Sequence, residues 1–131
     1  EYEGGTTSVL QAWAPFAEGR AQMVLTSDAF AAYVDAVREG AAAKLAHLGQ
    51  GFQGRLPAEQ LFSRRGEPEV VIPEFVVSHG VDLVVMGTVA RSGVAGRLIG
   101  NTAERVLAKL PCSVLAVKPD GFVSPVKLNG A

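Results

Sequence analysis

The stretch that decides the fold is VDLVVMGTVARSGVAGRLIGNTAERVL, residues 81–107. It begins with a near-continuous apolar run, residues 81–87, which is typical of a strand buried on both faces of a sheet. A loop rich in small and basic residues follows, and from residue 101 the apolar spacing is that of a helix. The stretch therefore predicts a strand, a long loop and a helix, the unit from which parallel sheets are built.

The same alternation continues on both sides of this stretch. The sequence predicts strands at residues 6–13, 57–63, 81–87 and 112–119, and helices at residues 26–51, 68–79 and 101–110. Strands that alternate with helices need helical crossovers and a parallel sheet, so the predicted class is α/β with a doubly wound sheet. In such sheets ligands bind beyond the carboxyl ends of the strands.

The helix termini carry their own signals. Residues 15–20 are predicted to form a loop, Ser27 or Asp28 to cap the helix that follows, and Gly49 to end it. Pro73 lies inside the next predicted helix, where it removes a hydrogen bond, so we expect a kink or a restart there.

Composition narrows the functional classes. The chain has 131 residues, enough for one domain, and 19% are charged against about 25% in ordinary soluble domains, which hints at surface covered by a partner. The net charge of -1 argues against nucleic-acid binding. No apolar run approaches the roughly 18 residues that span a membrane. A lone cysteine, Cys112, fits a reducing cytoplasm, and a chain that opens at Glu1 is expected to be a piece of something longer.

The loop between the strand at 81–87 and the helix at 101 is the candidate binding site. A helix N-terminus presents unpaired amides and partial positive charge, which favours phosphate or carboxylate. The residues that could complete such a site are Gly87, Thr88, Arg91, Ser92, Gly100, Asn101 and Thr102. The simpler alternative stays open: the glycines only connect strand to helix, and Asn101, with Glu104 three residues on, only caps the helix.

No catalytic residue or metal ligand is predicted. His47 and His79 each lie near a predicted helix end without converging partners, and no serine has a G-x-S-x-G setting. The loop also lacks the Gly-Lys pair of a P-loop and the G-x-G-x-x-G of dinucleotide binders.

The C-terminal sequence VDLVVMGTVARSGVAGRLIGNTAERVLAKLPCSVLAVKP closely resembles the end of a universal stress protein domain. The resemblance extends back through GEPEVVIPEF to SVLQAWAP and is most similar to the second domain of tandem-type members. It implies a flavodoxin- or Rossmann-like three-layer α/β/α fold of the adenine nucleotide α-hydrolase-like group. One domain would occupy residues 1–131, with a C-terminal tail at 119–131.

Many members of this family bind ATP through G-x-x-G, nine residues, then G-[ST]. On this sequence the first glycine is Gly87 and the third is Gly100, in register. Ala90 takes the second glycine position, and Asn101 takes the hydroxyl position with Thr102 directly after it. The resemblance therefore implies a phosphate-compatible loop, with ATP as the ligand and Mg²⁺ only together with a nucleotide.

The family domain also opens with a strand and helix that have no counterpart before residues 6–13. Because that strand lies in the middle of the family's sheet, its absence would bare one edge of the strand at 6–13 and one of the strand at 81–87. We expect either that an N-terminal βα segment has been omitted or, less readily, that strands rearrange between chains.

Three functional hypotheses follow from the resemblance. The first is a non-enzymatic, cytoplasmic stress-response domain that binds ATP or another phosphorylated ligand and pairs through its last strand with a second copy, or with a tandem domain. The second is an interaction or dimerisation module of the same family without nucleotide binding, which the departures at Ala90 and Asn101 favour. The third is a weak ATP-hydrolysing enzyme.

Overall fold

A computed structural model describes residues 4–52, 55–88 and 99–123. The chain divides into two compact units, Glu1–Glu67 and Pro68–Ala131, which are described separately. The strands are β1 (Val9–Trp13), β2 (Leu61–Arg65), β3 (Leu83–Gly87) and β4 (Ser113–Val117), and the helices are α1 (Glu18–Val24), α2 (Ser27–Gly51), α3 (Pro68–His79) and α4 (Asn101–Leu107). Helices and parallel strands alternate, which confirms the predicted α/β class.

The first unit is a single β-α-β crossover. β1 and β2 pair in parallel, with Val9 opposite Leu61 and Trp13 opposite Arg65. Parallel neighbours need a long connection, and α2 supplies it with 25 residues. Ala41 and Leu45, four positions apart on α2, are its buried apolar residues. The helix predicted for residues 26–51 from its apolar spacing is therefore confirmed.

The termini of α2 differ from the prediction by a few residues. Thr26 is the N-cap, because its Oγ1 accepts a hydrogen bond from the Ala29 amide at 3.3 Å. The prediction of Ser27 or Asp28 as the cap is therefore wrong, since both already lie inside the helix. The helix also runs past Gly49 to Gly51, because Gly49 keeps helical geometry where a C-terminal glycine would leave it.

Two further predictions in the first unit are corrected. The loop predicted at 15–20 is wrong in its second half, because α1 begins at Glu18 after Ala17 turns into the left-handed region with φ 49°. The strand predicted at 57–63 starts later, since residues 58–60 form a single 3-10 turn, and it then extends to Arg65. Gly66 ends it with φ 141°, a conformation that suits glycine.

The second unit holds the parallel pair β3 and β4, in which Leu83 lies opposite Ser113 and Gly87 opposite Val117. Helices α3 and α4 pack against each other and supply most of this unit's core. The buried apolar side chains on these helices are Val71, Phe75, Val76, Ala103 and Val106.

One face of the β3–β4 sheet is exposed and apolar. Leu83 and Val85 on β3 share this face with Leu115 and Val117 on β4, and their exposed fractions are 51%, 60%, 53% and 47%. The prediction that residues 81–87 are buried on both faces is therefore wrong for the structure described, because alternate side chains of β3 face outward. We call these four residues the open apolar face.

Helix α3 runs unbroken through Pro73, so of the two predicted outcomes, a kink or a restart, the restart is wrong. Proline has no amide hydrogen, so the carbonyl of Glu69, four residues earlier, loses its helical partner. The Lys109 ammonium, just beyond α4, donates to that carbonyl at 3.3 Å, and Arg105 Nη1 lies 3.1 Å from Glu69 Oε1. Lys109 thus supplies a donor to the carbonyl that the proline leaves without a helical partner, and Arg105 pairs with the side chain of the same glutamate.

The four described strands form two sheets of two strands each, where the sequence predicted one continuous sheet. Within residues 4–52, 55–88 and 99–123, β1 pairs with β2 alone and β3 with β4 alone. The two edges that the sequence analysis expected to be bare, one on β1 and one on β3, are thus without a strand partner in the described part of the chain.

None of the described helices combines the length and the apolar character needed to cross a membrane.

The arrangement at Pro73 predicts a coupling between two distant positions. Lys109→Met should lower the free energy of unfolding by about 0.5–1 kcal/mol, because the Glu69 carbonyl loses its donor. In a Pro73→Ala background the restored amide serves that carbonyl, so the same Lys109→Met change should be nearly neutral. Denaturant unfolding of the four proteins in the cycle measures both values.

Lys44→Met, on the exposed surface of α2, is the matched control and should be neutral in both backgrounds. If the changes in unfolding free energy of Lys109→Met and Pro73→Ala are additive to within about 0.3 kcal/mol, the Lys109 ammonium does not stand in for the missing amide of residue 73, and the proposal is wrong.

Candidate functional site

The candidate site lies where β3 and β4 end side by side. Gly87 and Val117, the last residues of these strands, are register partners, so Thr88 and Lys118 leave the sheet next to each other. The Thr88 amide donates to the Val117 carbonyl at 3.4 Å and extends the pairing by one residue. We call this region the β3–β4 carboxyl edge; it comprises these four residues and Gly100.

Thr88 and Gly100 bring the two ends of the intervening loop together. The Gly100 amide donates to the Thr88 carbonyl at 2.6 Å, and a Cβ on Gly100 would lie 3.3 Å from that same oxygen. Gly100 has φ -77°, which any residue can adopt, so glycine here eases a close approach and does not serve an unusual turn. The sequence predicted that Gly100 would let the backbone approach a ligand closely, whereas in the structure the Gly100 backbone closely approaches the Thr88 carbonyl.

Lys118 extends from the end of β4 toward this closure. Its ammonium donates to the hydroxyl of Thr88, a residue only 2% exposed. The ammonium also lies 5.1 Å from the centroid of the Phe122 ring, within cation–π range. A turn brings the ring there: the Phe122 amide donates to the Pro119 carbonyl at 3.1 Å, and Gly121 takes φ 76°.

The start of α4 presents two exposed polar residues to the same region of the unit. Asn101 and Thr102 are the first two helical residues, and Gly100 is the N-cap. The predicted capping role of Asn101 with Glu104 is therefore wrong, because the helix begins at Asn101 itself, one residue earlier than a capping box with Asn101 as the N-cap would require. The Asn101 carbonyl accepts a bond from Arg105 Nε at 3.4 Å.

The predicted site residues thus fall into three groups. Gly87, Thr88 and Gly100 lie together at the carboxyl edge, and Asn101 and Thr102 follow directly on α4. Ala90, Arg91 and Ser92 lie outside the described residues. Thr88 is nearly buried and its side chain is engaged by Lys118, so it supports the edge from within.

Sequence reasoning missed Lys118. The signal was present in part, because residue 118 is a charged residue near the end of the apolar strand predicted at 112–119. Once β4 is placed beside β3 in parallel, the residue after each strand must emerge at the same edge. A prediction of the residue-by-residue pairing of β3 with β4, extended by one residue past Gly87 and Val117, would have placed Lys118 next to Thr88.

The other residues considered for chemistry have local roles. The His79 ring stacks on Phe75 with 3.8 Å between centroids, and its Nδ1 lies 2.9 Å from Ser78 Oγ and 3.1 Å from the Phe75 carbonyl. These contacts fix the last turn of α3, as expected for a histidine at a helix end. Among the residues that the structure describes, no three histidine, cysteine, aspartate or glutamate side chains cluster as metal ligands would.

Comparison with known proteins places the chain in a family. The profile of the universal stress protein family matches residues 3–118. Universal stress protein E of Escherichia coli K12 is 43% identical over 65 residues, which are 50% of this chain and 21% of that protein. Its homolog in Haemophilus influenzae is 50% identical over 56 residues, 43% of this chain and 18% of that protein.

Solved structures show the same fold. A protein of Pseudomonas aeruginosa PAO1, described as functionally unknown, is 34% identical with a TM-score of 0.54, over 86% of this chain and 34% of that one. A putative universal stress protein of Pseudomonas aeruginosa UCBPP-PA14 gives 34% identity and a TM-score of 0.55 over the same shares.

The matched segments therefore span about a fifth of the curated relatives and a third of the solved chains. With a profile match over residues 3–118 and relatives that carry the family's name, this chain belongs to the universal stress protein family.

Proposed function

We propose that this chain is a stress-response domain that binds ATP or a similar phosphorylated ligand at the β3–β4 carboxyl edge. Membership of the universal stress protein family supports the role in stress response. The observation that carries the binding proposal is the 2.6 Å bond between the Gly100 amide and the Thr88 carbonyl. It closes the base of the loop at the edge of a parallel sheet where ligands of α/β proteins bind.

The described residues fit an anionic ligand in charge and in hydrogen bonding. Lys118 brings an ammonium to the edge, and Asn101 and Thr102 expose an amide and a hydroxyl that can bond phosphate oxygens. Gly100 contributes shape and not a donor, because its amide is already bonded to Thr88. ATP, when bound, would supply the triphosphate and carry any Mg²⁺ with it.

The chain's own part in this function is binding and not chemistry. No residue of the described edge has the paired base and nucleophile of a hydrolase, so we assign no catalytic residue there. Ligand binding would instead bias which partners the domain engages in the cytoplasm. If the protein were found to hydrolyse ATP, even weakly, the domain would be an enzyme and not only a binding domain.

One observation favours the second candidate function, an interaction module without nucleotide. The open apolar face of Leu83, Val85, Leu115 and Val117 offers surface for a protein partner.

Pairing with a second copy through β4 is the proposed mode of assembly. β4 bonds to β3 along one side, which leaves its other side as a sheet edge in the described structure. An edge of this kind is a template for another strand. A tandem domain would use the same edge in place of a second copy.

Nucleotide binding is tested by titrating ATP with Mg²⁺ into the full-length protein. Gly100→Ala should weaken binding by a few-fold, because its Cβ crowds the Thr88 carbonyl at 3.3 Å and shifts the base of the loop. Gly100→Asp should abolish measurable binding, because it also brings a negative charge beside the phosphates. Calorimetry gives both affinities.

Gly40→Asp is the matched control, since a Cβ at Gly40 on α2 meets no atom within 4 Å, and it should bind ATP as the natural protein does. Absence of binding by the natural protein at millimolar ATP would favour the interaction module. Phosphate release above background that Gly100→Asp removes would favour the enzyme.

Assembly through β4 predicts a specific sensitivity at its midpoint. In an antiparallel pairing of two copies of β4, Leu115 would face its counterpart, so Leu115→Lys would set two like charges opposite each other. The dimer should weaken by about fivefold or more, corresponding to about 1 kcal/mol. Analytical ultracentrifugation measures the dissociation constant.

Leu83→Lys is the control, because Leu83 has nearly the same exposure, 51% against 53%, on the same face but on β3. It should leave the dimer intact. Equal weakening by both changes would point to pairing through the open apolar face, and a dimer insensitive to Leu115→Lys would exclude the β4 edge.

A further inference from the structure

Residues 16–25 of the first unit, which we call the α1 strap, comprise helix α1 and the residues on either side of it. No residue of α1 is buried, and Phe16, Met23 and Val24 are 88%, 87% and 74% exposed. A helix as short as α1 is marginal without an apolar face packed against the rest of the protein. Contacts other than burial of its large apolar side chains therefore hold the strap in place.

Two polar contacts join the strap to the rest of the first unit. The Tyr33 hydroxyl on α2 donates to the Phe16 carbonyl at 3.0 Å. Arg65 Nη2 donates to Glu18 Oε1, so the two side chains form an ion pair. The first contact anchors the start of the strap, and the second fixes the first turn of α1.

The ion pair sets the place of the strap in the fold. Arg65 is the last residue of β2 and the register partner of Trp13, the last residue of β1. The strap therefore leaves the carboxyl end of β1 and is tied through Glu18 to the carboxyl end of β2. This is the end of a parallel sheet at which α/β proteins bind their ligands.

Ala17 gives the strap a strained start. Its φ of 49° and ψ of 42° lie in the left-handed region, and among the residues that the structure describes it is the only non-glycine residue with a positive φ. An alanine there is strained because its Cβ crowds a backbone carbonyl oxygen. Such strain persists only where neighbouring contacts hold it, and it is concentrated at ligand clamps and switch regions.

Arg65 has the chemistry of an anion site. A guanidinium carries five N–H donors, and its planar fork matches carboxylate and phosphate alike. Within the described part of the chain, the acceptor that Arg65 contacts is Glu18 Oε1. The two side chains are 46% and 40% exposed, so an anion from solvent can reach the guanidinium. The Glu18 carboxylate thus stands where a phosphate oxygen would bind.

We propose that Arg65 is a phosphate-binding residue of the first unit, that Glu18 blocks it from within the chain, and that a phosphate anion bound there releases the α1 strap. Release frees the carboxyl end of the β1–β2 sheet for a ligand. The site belongs to the unit Glu1–Glu67 and is additional to the one proposed at the β3–β4 carboxyl edge.

Release of the strap is measured by hydrogen exchange of the α1 amides in the full-length protein, because the exchange rate follows the population of the open form. Glu18→Gln and Arg65→Gln should each speed this exchange by about two- to fivefold, as expected for a partly exposed ion pair. The double variant should be no faster than either single variant, since both changes remove the same contact.

The charge exchange, Glu18→Arg together with Arg65→Glu, should restore slow exchange because it rebuilds the pair with its signs reversed. Asp35→Asn is the matched control: it breaks the exposed pair between Arg38 and Asp35 on α2, which are 3.1 Å apart, and should leave the α1 amides unchanged. If both single variants exchange at the natural rate, the ion pair does not hold the strap and the proposal is wrong.

The anion is tested with inorganic phosphate against sodium chloride at the same ionic strength. Phosphate should speed α1 exchange in the natural protein to nearly the rate of Glu18→Gln, and it should have no effect on Arg65→Gln. Chloride at that strength screens the ion pair to the same extent. An equal response to the two salts would mean that screening alone loosens the strap, which would overturn the phosphate site.

Gly100→Asp separates this site from the β3–β4 carboxyl edge, because it disables the binding proposed there. The response of the α1 amides to phosphate should survive that change. A response that Gly100→Asp removes and Arg65→Gln keeps would overturn the role of Arg65. Absence of ATP binding, with the phosphate response of α1 intact, would overturn the proposed function and leave the Arg65 site standing.

Discussion

The hydrogen bond from the Gly100 amide to the Thr88 carbonyl is the constraint on which the candidate site depends. It joins the residue after β3 to the residue before α4, so the loop between them begins and ends at one point. The two backbones approach closely here, since a Cβ on Gly100 would lie 3.3 Å from the same oxygen. Everything else at this edge, from the Thr88 hydroxyl to the start of α4, is positioned relative to it.

The fold class follows from the sequence because the strands and helices alternate and differ clearly in apolar spacing. β3 and β4 were predicted from runs of apolar residues; β3 begins two residues after the start of its predicted run and ends with it, and β4 is one residue shorter at its start and two at its end. Details set by single hydrogen bonds were less accessible. Thr26, Ser27 and Asp28 are all good caps, and only the structure shows that the Thr26 hydroxyl receives the bond.

Gly87, Gly100, Asn101 and Thr102 could be proposed as site residues from the sequence because they flank the loop of the strand–loop–helix pattern, and their role in binding stays a prediction. Lys118 was missed because its proximity to Thr88 arises from strand pairing across 30 residues of chain. The tolerance of Pro73 was missed for the same reason: the donor that satisfies the Glu69 carbonyl comes from Lys109, on a different element. Periodicity reports on local structure, whereas partners of this kind are set by tertiary contact.

The open apolar face has a consequence for how the protein is made. Leu83, Val85, Leu115 and Val117 remain partly exposed to water after β3 and β4 have paired. A ribosome releases β3 before β4, so the Leu83 and Val85 side chains emerge first and have no neighbouring strand until about thirty further residues have been synthesised. Apolar strands in that state are prone to aggregate, so early pairing of β3 with β4 limits the time for which this part of the nascent chain is at risk.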